Sequence, residues 1–158
     1  MNKLLEHHGE VLDDTQQLRR DLLDVLTDAD LQFTPAGNNP PLGELLREMG
    51  QFEQMYATSF KTYVHDWSYR YPDPTIATSV PRLKAWFAEM EAALRAALEA
   101  MSDDDLERPI SGRGGFNPSV VTQFHVYREM LFIYYGRLDV YRRGLGKTVS
   151  EQWRDWIG

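Results

Sequence analysis

The chain of 158 residues has no cysteine, which excludes disulfides, thiolate nucleophiles and cysteine metal ligands. It also lacks any apolar run approaching the roughly 20 residues of a membrane-spanning helix. The stretch MNKLLEHHGEVLDD at the amino terminus has no long apolar core after its single lysine, so the expectation is a soluble cytoplasmic protein with no membrane partner. Positive charge is the scarcer sign. Seventeen Lys and Arg face 24 Asp and Glu, a net charge of −7, which disfavours nonspecific attraction to phosphates and argues against a nucleic-acid partner despite the local cluster Arg137, Arg142, Arg143 and Lys147. No serine stands in a GxSxG setting. The glycines of Ser111–Gly115 follow no strand pattern and precede no GK[ST], so nucleotide-binding fingerprints are missing too.

What the chain does have is helical periodicity. Leu4, His8, Val11, Thr15, Leu18, Leu22 and Val25 recur at steps of three and four, with Leu5, Leu12, Leu23 and Leu26 widening the stripe, and predict a helix from about Asn2 to Leu26. A second helix opens at Asn39-Pro40-Pro41 and carries Leu42, Leu45, Met49, Phe52, Tyr56 and Tyr63. Ser79 and Pro81 open a third, with the stripe Val80, Leu83, Phe87, Met90, Leu94, Leu98 and Met101. Asn117-Pro118 opens the fourth, Val120 to Leu145. Ser150 caps a short terminal helix whose Trp153 and Trp156 are expected to anchor the tail. The fold class is all-α: one domain over residues 1–158, a four-helix bundle with long connecting loops and a short C-terminal helix. Thr27–Leu31 and Ser102–Leu106 each place a hydroxyl three residues before an acid and predict two short capped turns, read equally as duplication or as independent use of a good cap. The aromatic segment Val64–Thr78 reads as an ordered loop, either a lid or a cover over one end of the core.

The fourth helix carries the functional question. Its seam reads Val120, Phe124, Tyr127, Leu131, Tyr134, Leu138, Tyr141 and Leu145, and three of these eight side chains are phenols that need partners if buried. Glu53 has Leu46, Met49, Tyr56 and Phe60 as neighbours on its own helix face, which points its carboxylate inward, and His8 and Thr15 lie on the seam of the first helix. Two readings follow: a closed buried network of Glu53, His8 and the hydroxyls of Tyr56, Tyr127 and Tyr134, or a ligand pocket built from the same groups. His125 and Glu129, one turn apart, with Glu48 or Glu53 from the second helix, make a metal set by spacing, but they sit off the tyrosine stripe, which favours exposure. Adjacent His7 and His8 diverge by about 100° and do not chelate one ion easily.

Leu31, Pro41–Gly50 (PLGELLREMG), Glu53, Tyr134–Leu138 (YYGRL) and Leu145-Gly146 together resemble the DinB/YfiT-like superfamily over nearly the whole chain. That resemblance implies a four-helix bundle and a homodimer. Many members resemble metalloenzymes, thiol-dependent S-transferases among them, with one histidine on the second helix and a pair one turn apart on the fourth. Here the matching positions are Glu48, Met130 and Tyr134, none of them histidine. A thioether and a protonated phenol are poor ligands for zinc or nickel, so the expectation is no metal and no cofactor. The former metal cavity is then expected to persist as an aromatic pocket. The candidate residues are Glu48, Glu53, Tyr56, Tyr127, Met130, Tyr134, Arg137 and His8, offered to a small-molecule ligand or a partner. A metal-dependent transferase or hydrolase with unusual ligands, and a structural dimer without a ligand, are the alternatives.

Overall fold

The computed structural model describes residues 2–158, and all regular elements among them are helical. Four long helices carry the core: α1 (Lys3–Val25), α2 (Leu42–Thr62), α3 (Val80–Glu99) and α4 (Val120–Gly144), followed by the short α5 (Glu151–Trp156). Each of α1 and α2 packs against both α3 and α4, which leaves α1 and α2 diagonally opposite across the core. The apolar stripes read from the sequence are the buried ones, Leu12, Leu18, Leu45, Leu83, Leu94, Phe124, Leu131 and Leu138 among them.

The caps fall where the sequence places them. Asn2 caps α1 by accepting from the Leu5 amide, and its own amide group donates to the carbonyls of Leu98 (2.6 Å) and Met101 (3.1 Å), tying the start of α1 to the end of α3. Thr27 and Ser102 each donate through backbone and hydroxyl to an acid three residues on, Asp30 and Asp105, and both segments are short 3-10 turns. Ser119 and Ser150 cap α4 and α5. Trp153 is fully buried and donates from its indole to Asp139 at 2.9 Å, so it anchors the tail, while Trp156 is 41% exposed and lies along Phe132. At the start of α2, Gly43 is obligatory: a Cβ there would sit 1.8 Å from the Ala77 carbonyl oxygen, where the 3-10 turn Pro74–Thr78 crosses the helix.

Two loops are pinned together at one end of the bundle. α2 ends on Tyr63 in a left-handed conformation (φ 58°), and the guanidinium of Arg108 lies 3.6 Å above its ring. Ser111 donates its amide to the Tyr63 carbonyl (3.0 Å) and accepts from the His65 amide (2.8 Å). Gly112 (φ +90°) passes so close that a Cβ would meet the His65 carbonyl oxygen at 2.3 Å. This bridge fixes His65 and Trp67 of the first loop beside Arg113 of the second.

Candidate functional site

The inward-pointing groups separate into two sites. The first is a sealed ion-pair cluster in the core. Glu53 of α2 is fully buried, and its partner is Arg19 of α1, equally buried, which reaches both carboxylate oxygens. The Tyr127 hydroxyl donates to Glu53 at 2.7 Å and accepts from Gln16 at 3.3 Å. Arg19 also donates to Glu91, which pairs with Arg20 at the surface, and its guanidinium carbon lies 4.0 Å from the centroid of the Phe87 ring. Burial alone would favour loss of the Arg19 proton, but the charge of Glu53, reinforced by Tyr135 and Glu91, holds the guanidinium strongly protonated. Burial also pushes the Tyr127 phenol far up, with the Glu53 charge adding to it, so Tyr127 acts as a donor. A groove of about 280 Å³ runs between α1 and α3 over this cluster, but its charges are already matched, Arg20 with Glu91 and Lys84 with Asp24.

The arrangement corrects the expected network. His8 does not reach Glu53; it faces His125 (ring centroids 5.0 Å) and Phe124 near the start of α1, in a groove it shares with His7, Asp103 and Glu107. Glu53 belongs to the core and not to a pocket edge. Thr15 donates its hydroxyl to the Val11 carbonyl, and its own carbonyl accepts from Tyr135. Of the three seam phenols, Tyr127 takes Glu53, Tyr134 takes Glu48 (2.6 Å) and Tyr141 takes the Pro40 carbonyl (2.7 Å), so each buried hydroxyl is matched. His125 and Glu129 do not converge on a third ligand, and no group of three or more His, Asp and Glu side chains among the described residues is arranged to hold a metal ion.

The second site is open. A cleft of about 380 Å³ between α2, α4 and the loop after α2 is lined by Glu48, Phe52, Tyr56, Trp67, Val126, Glu129, Met130, Ile133, Tyr134 and Arg137. It gathers five of the eight expected residues, and Phe52, Tyr56, Trp67 and Tyr134 give it an aromatic wall. Phe52 stands 6.3 Å from Trp67 and 6.1 Å from Tyr134, centroid to centroid. Glu48 is the polar focus, accepting from the Tyr134 hydroxyl and from Arg137 (3.1 Å) on the same oxygen. Arg137 in turn lies 5.0 Å from the Tyr134 ring centroid. Burial, the Glu48 hydrogen bond and the Glu48 charge all push the Tyr134 phenol up, so it stays protonated.

Glu48, Met130 and Tyr134, the three positions where the family resemblance expects metal histidines, therefore do converge. Their chemistry does not fit a metal. One Glu48 carboxylate oxygen is already shared by a phenol and a guanidinium, the second group is a thioether, the third is a protonated phenol, and the local cation is Arg137.

Sequence reasoning missed a third cluster beside the cleft. His65 is buried, with its ring tilted against Trp67 (4.2 Å between centroids) and edge-to-face with Tyr56 (4.8 Å). Its Nδ1 meets the Gln123 amide at 3.0 Å, and Gln123 accepts from Arg113 at 2.7 Å. Burial, with the charge of Arg113 adding to it, lowers the His65 imidazole to about 4.

A four-helix bundle in which α1 runs parallel to α4 and α2 parallel to α3, with a polar focus between α2 and α4, is a recognisable class. The chain belongs to the DinB superfamily, whose sequence model matches residues 12–131. No curated protein matches the sequence. Among solved structures, the chain is similar to a DinB-like protein from Bacillus cereus, at 20% identity and a TM-score of 0.77 over 92% of this chain and 95% of that one. It is also similar to a DinB-like protein from Bacillus subtilis, at 15% identity and a TM-score of 0.72 over 96% and 98%. At these identities the likeness is one of fold.

Two predictions follow from the buried groups. Arg19→Met or Glu53→Gln alone leaves an uncompensated buried group and lowers the unfolding free energy by about 3–5 kcal/mol, whereas the double replacement Arg19→Met with Glu53→Leu recovers much of that loss, both read by denaturant unfolding. Single variants costing less than about 1 kcal/mol would contradict the assignment. His65 is neutral in the fold and titrates near its ordinary 6.5 when unfolded. The unfolded chain therefore binds the extra proton first, and stability falls as pH drops from about 6.5 towards 4. His65→Phe should remove that part of the slope in unfolding curves taken across this range.

Proposed function

We propose that this chain binds a small organic molecule in the aromatic cleft and uses neither metal nor cofactor there. The observation that carries the reading is the convergence of Glu48, Tyr134 and Arg137 on one oxygen at the edge of an otherwise apolar, aromatic hollow. Small-molecule sites have this composition: mostly apolar walls and a few converging polar groups, in volumes of roughly 300–1,000 Å³. The cytoplasmic setting expected from composition is part of the proposal. A thermal-shift screen of small aromatic and heteroaromatic compounds tests it. Tyr134→Phe frees Glu48 from its phenol and should change the affinity of the compounds found by about tenfold, leaving the helical spectrum intact. If no compound binds, or if binding is untouched by both Tyr134→Phe and the cleft-filling Met130→Trp, the reading fails.

A homodimer is supported by the outer face of α4. Ile133 and Val140, 65% and 56% exposed, are two turns apart on one face, and Gly136 lies between them with nothing within 4 Å of where its Cβ would be. A mid-helix glycine costs about 1 kcal/mol against alanine, and nothing in the monomer uses it. A second copy crossing at Gly136, with Ile133 meeting the partner's Val140, would use it. Sedimentation should give twice the chain mass for the wild type and the chain mass for Val140→Glu. A wild type that stays monomeric at tens of micromolar would contradict the pairing.

A further inference from the structure

Beside the cleft, the direction of every hydrogen bond around His65 follows from one fact. Arg113 can only donate, so Gln123 must present its oxygen to it, and the Gln123 nitrogen then turns to Ser59 (3.1 Å) and to His65 Nδ1 (3.0 Å). Ser59 spends its own proton on the Tyr56 carbonyl (2.7 Å). Nδ1 of His65 is thus the acceptor, and the ring proton sits on Nε2. That Nε2–H is buried and has no acceptor among the described residues. The Tyr56 hydroxyl accepts from Arg113 at 3.4 Å and donates to no protein group among the described residues.

Arg113 itself has no carboxylate partner among the described residues. Its guanidinium carbon lies 5.6, 5.2 and 5.7 Å from the ring centroids of Tyr56, Trp67 and Phe116. Arg137, which lines the cleft, is neutralised by Glu48, whereas Arg113, behind the cleft wall, has no ion pair among the described residues. Two donors without acceptors among the described residues, the His65 Nε2–H and the Tyr56 hydroxyl, lie beside the Arg113 cation, and Tyr56 and Trp67 line the cleft. An unmatched buried donor costs about 1–3 kcal/mol, a cost that an incoming acceptor removes.

We propose that Arg113, Tyr56 and His65 are the anion-holding end of the cleft, and that its ligand is an amphipathic anion, a carboxylate or phosphate-monoester head on an apolar or aromatic body. The proposal rests on the cleft being a ligand site. Trp67 is the movable part: its indole is tilted against His65, is 44% exposed, and hangs on one hydrogen bond to the Gly112 carbonyl (3.0 Å). Swinging it outward opens the His65 Nε2–H to the head group, while the body lies along Phe52, Met130 and Tyr134. Glu129 on the rim makes no ion pair among the described residues and would favour a cation, so the opposite ligand charge is a genuine rival outcome.

Calorimetric titration with phenylacetate, phenyl phosphate, phenylacetamide and 2-phenylethylammonium, read in parallel by tryptophan fluorescence, decides it. An anion gains charge-assisted hydrogen bonds, so phenylacetate or phenyl phosphate should bind at least about tenfold tighter than the amide, with the amine weakest. Whichever anion binds tighter tells the two head groups apart. Arg113→Gln should bring the anions to the level of the amide, Tyr56→Phe should lower anion affinity alone, and Arg113→Lys should keep the preference. An amide as tight as the anions, or a tighter amine, overturns the anion assignment while leaving the cleft reading standing. An anion preference that survives Arg113→Gln overturns the placement. Silence from all four probes overturns the cleft reading and this one with it.

Discussion

The ion pair between Arg19 and Glu53 is the constraint on which the interior depends. It joins α1 and α2, the two helices that face each other diagonally, so it passes through the centre of the bundle and not along a seam. Two charges in that position are costly unless their remaining hydrogen-bonding capacity is filled. Tyr127, itself held by Gln16, donates to Glu53; Arg19 reaches Glu91 and lies over the face of Phe87, leaving only its Nε without a partner among the described residues. All four long helices contribute to this one cluster, and it sets their mutual rotation. With Glu53 committed to Arg19, the carboxylate left to face the cleft is Glu48.

That division of labour separates structure from function. In the core cluster the charges are balanced, Arg19 and Arg20 against Glu53 and Glu91, and of its buried polar atoms only Arg19 Nε is without a partner among the described residues. The cleft keeps an aromatic wall, a carboxylate that holds a phenol and an arginine together, and beside it donors without acceptors. Within the DinB superfamily fold, the place between the second and fourth long helices is here lined by aromatic and charged groups.

The helices were legible because their stripes are long and strongly periodic, and their starts carry Asn, Ser and Pro signals that need no tertiary context. The tyrosines of α4 were legible as a demand for partners, but not the identity of each partner. Glu53 was readable as inward-facing from its own helix, and its counter-ion was readable too: Leu5, Leu12, Arg19 and Leu26 stand seven residues apart, so Arg19 interrupts an apolar row. Passing over Arg19 gave the carboxylate to His8 instead, which the helix carries towards the opposite end of the bundle. The His65, Arg113 and Gln123 cluster had no such signal. It exists because the Ser111 backbone pairing and the close pass of Gly112 bring two loops together, and no periodic pattern encodes that contact.

The central claim is that the convergence of Glu48, Met130 and Tyr134 is an organic-ligand site and not a metal site. Native mass spectrometry of untagged protein, purified without chelators and weighed intact, measures this most directly. The account predicts no stoichiometric divalent metal in the wild type, and a small organic mass wherever a copurified molecule remains bound. One zinc or nickel ion per chain, absent from Glu48→Gln, would contradict it.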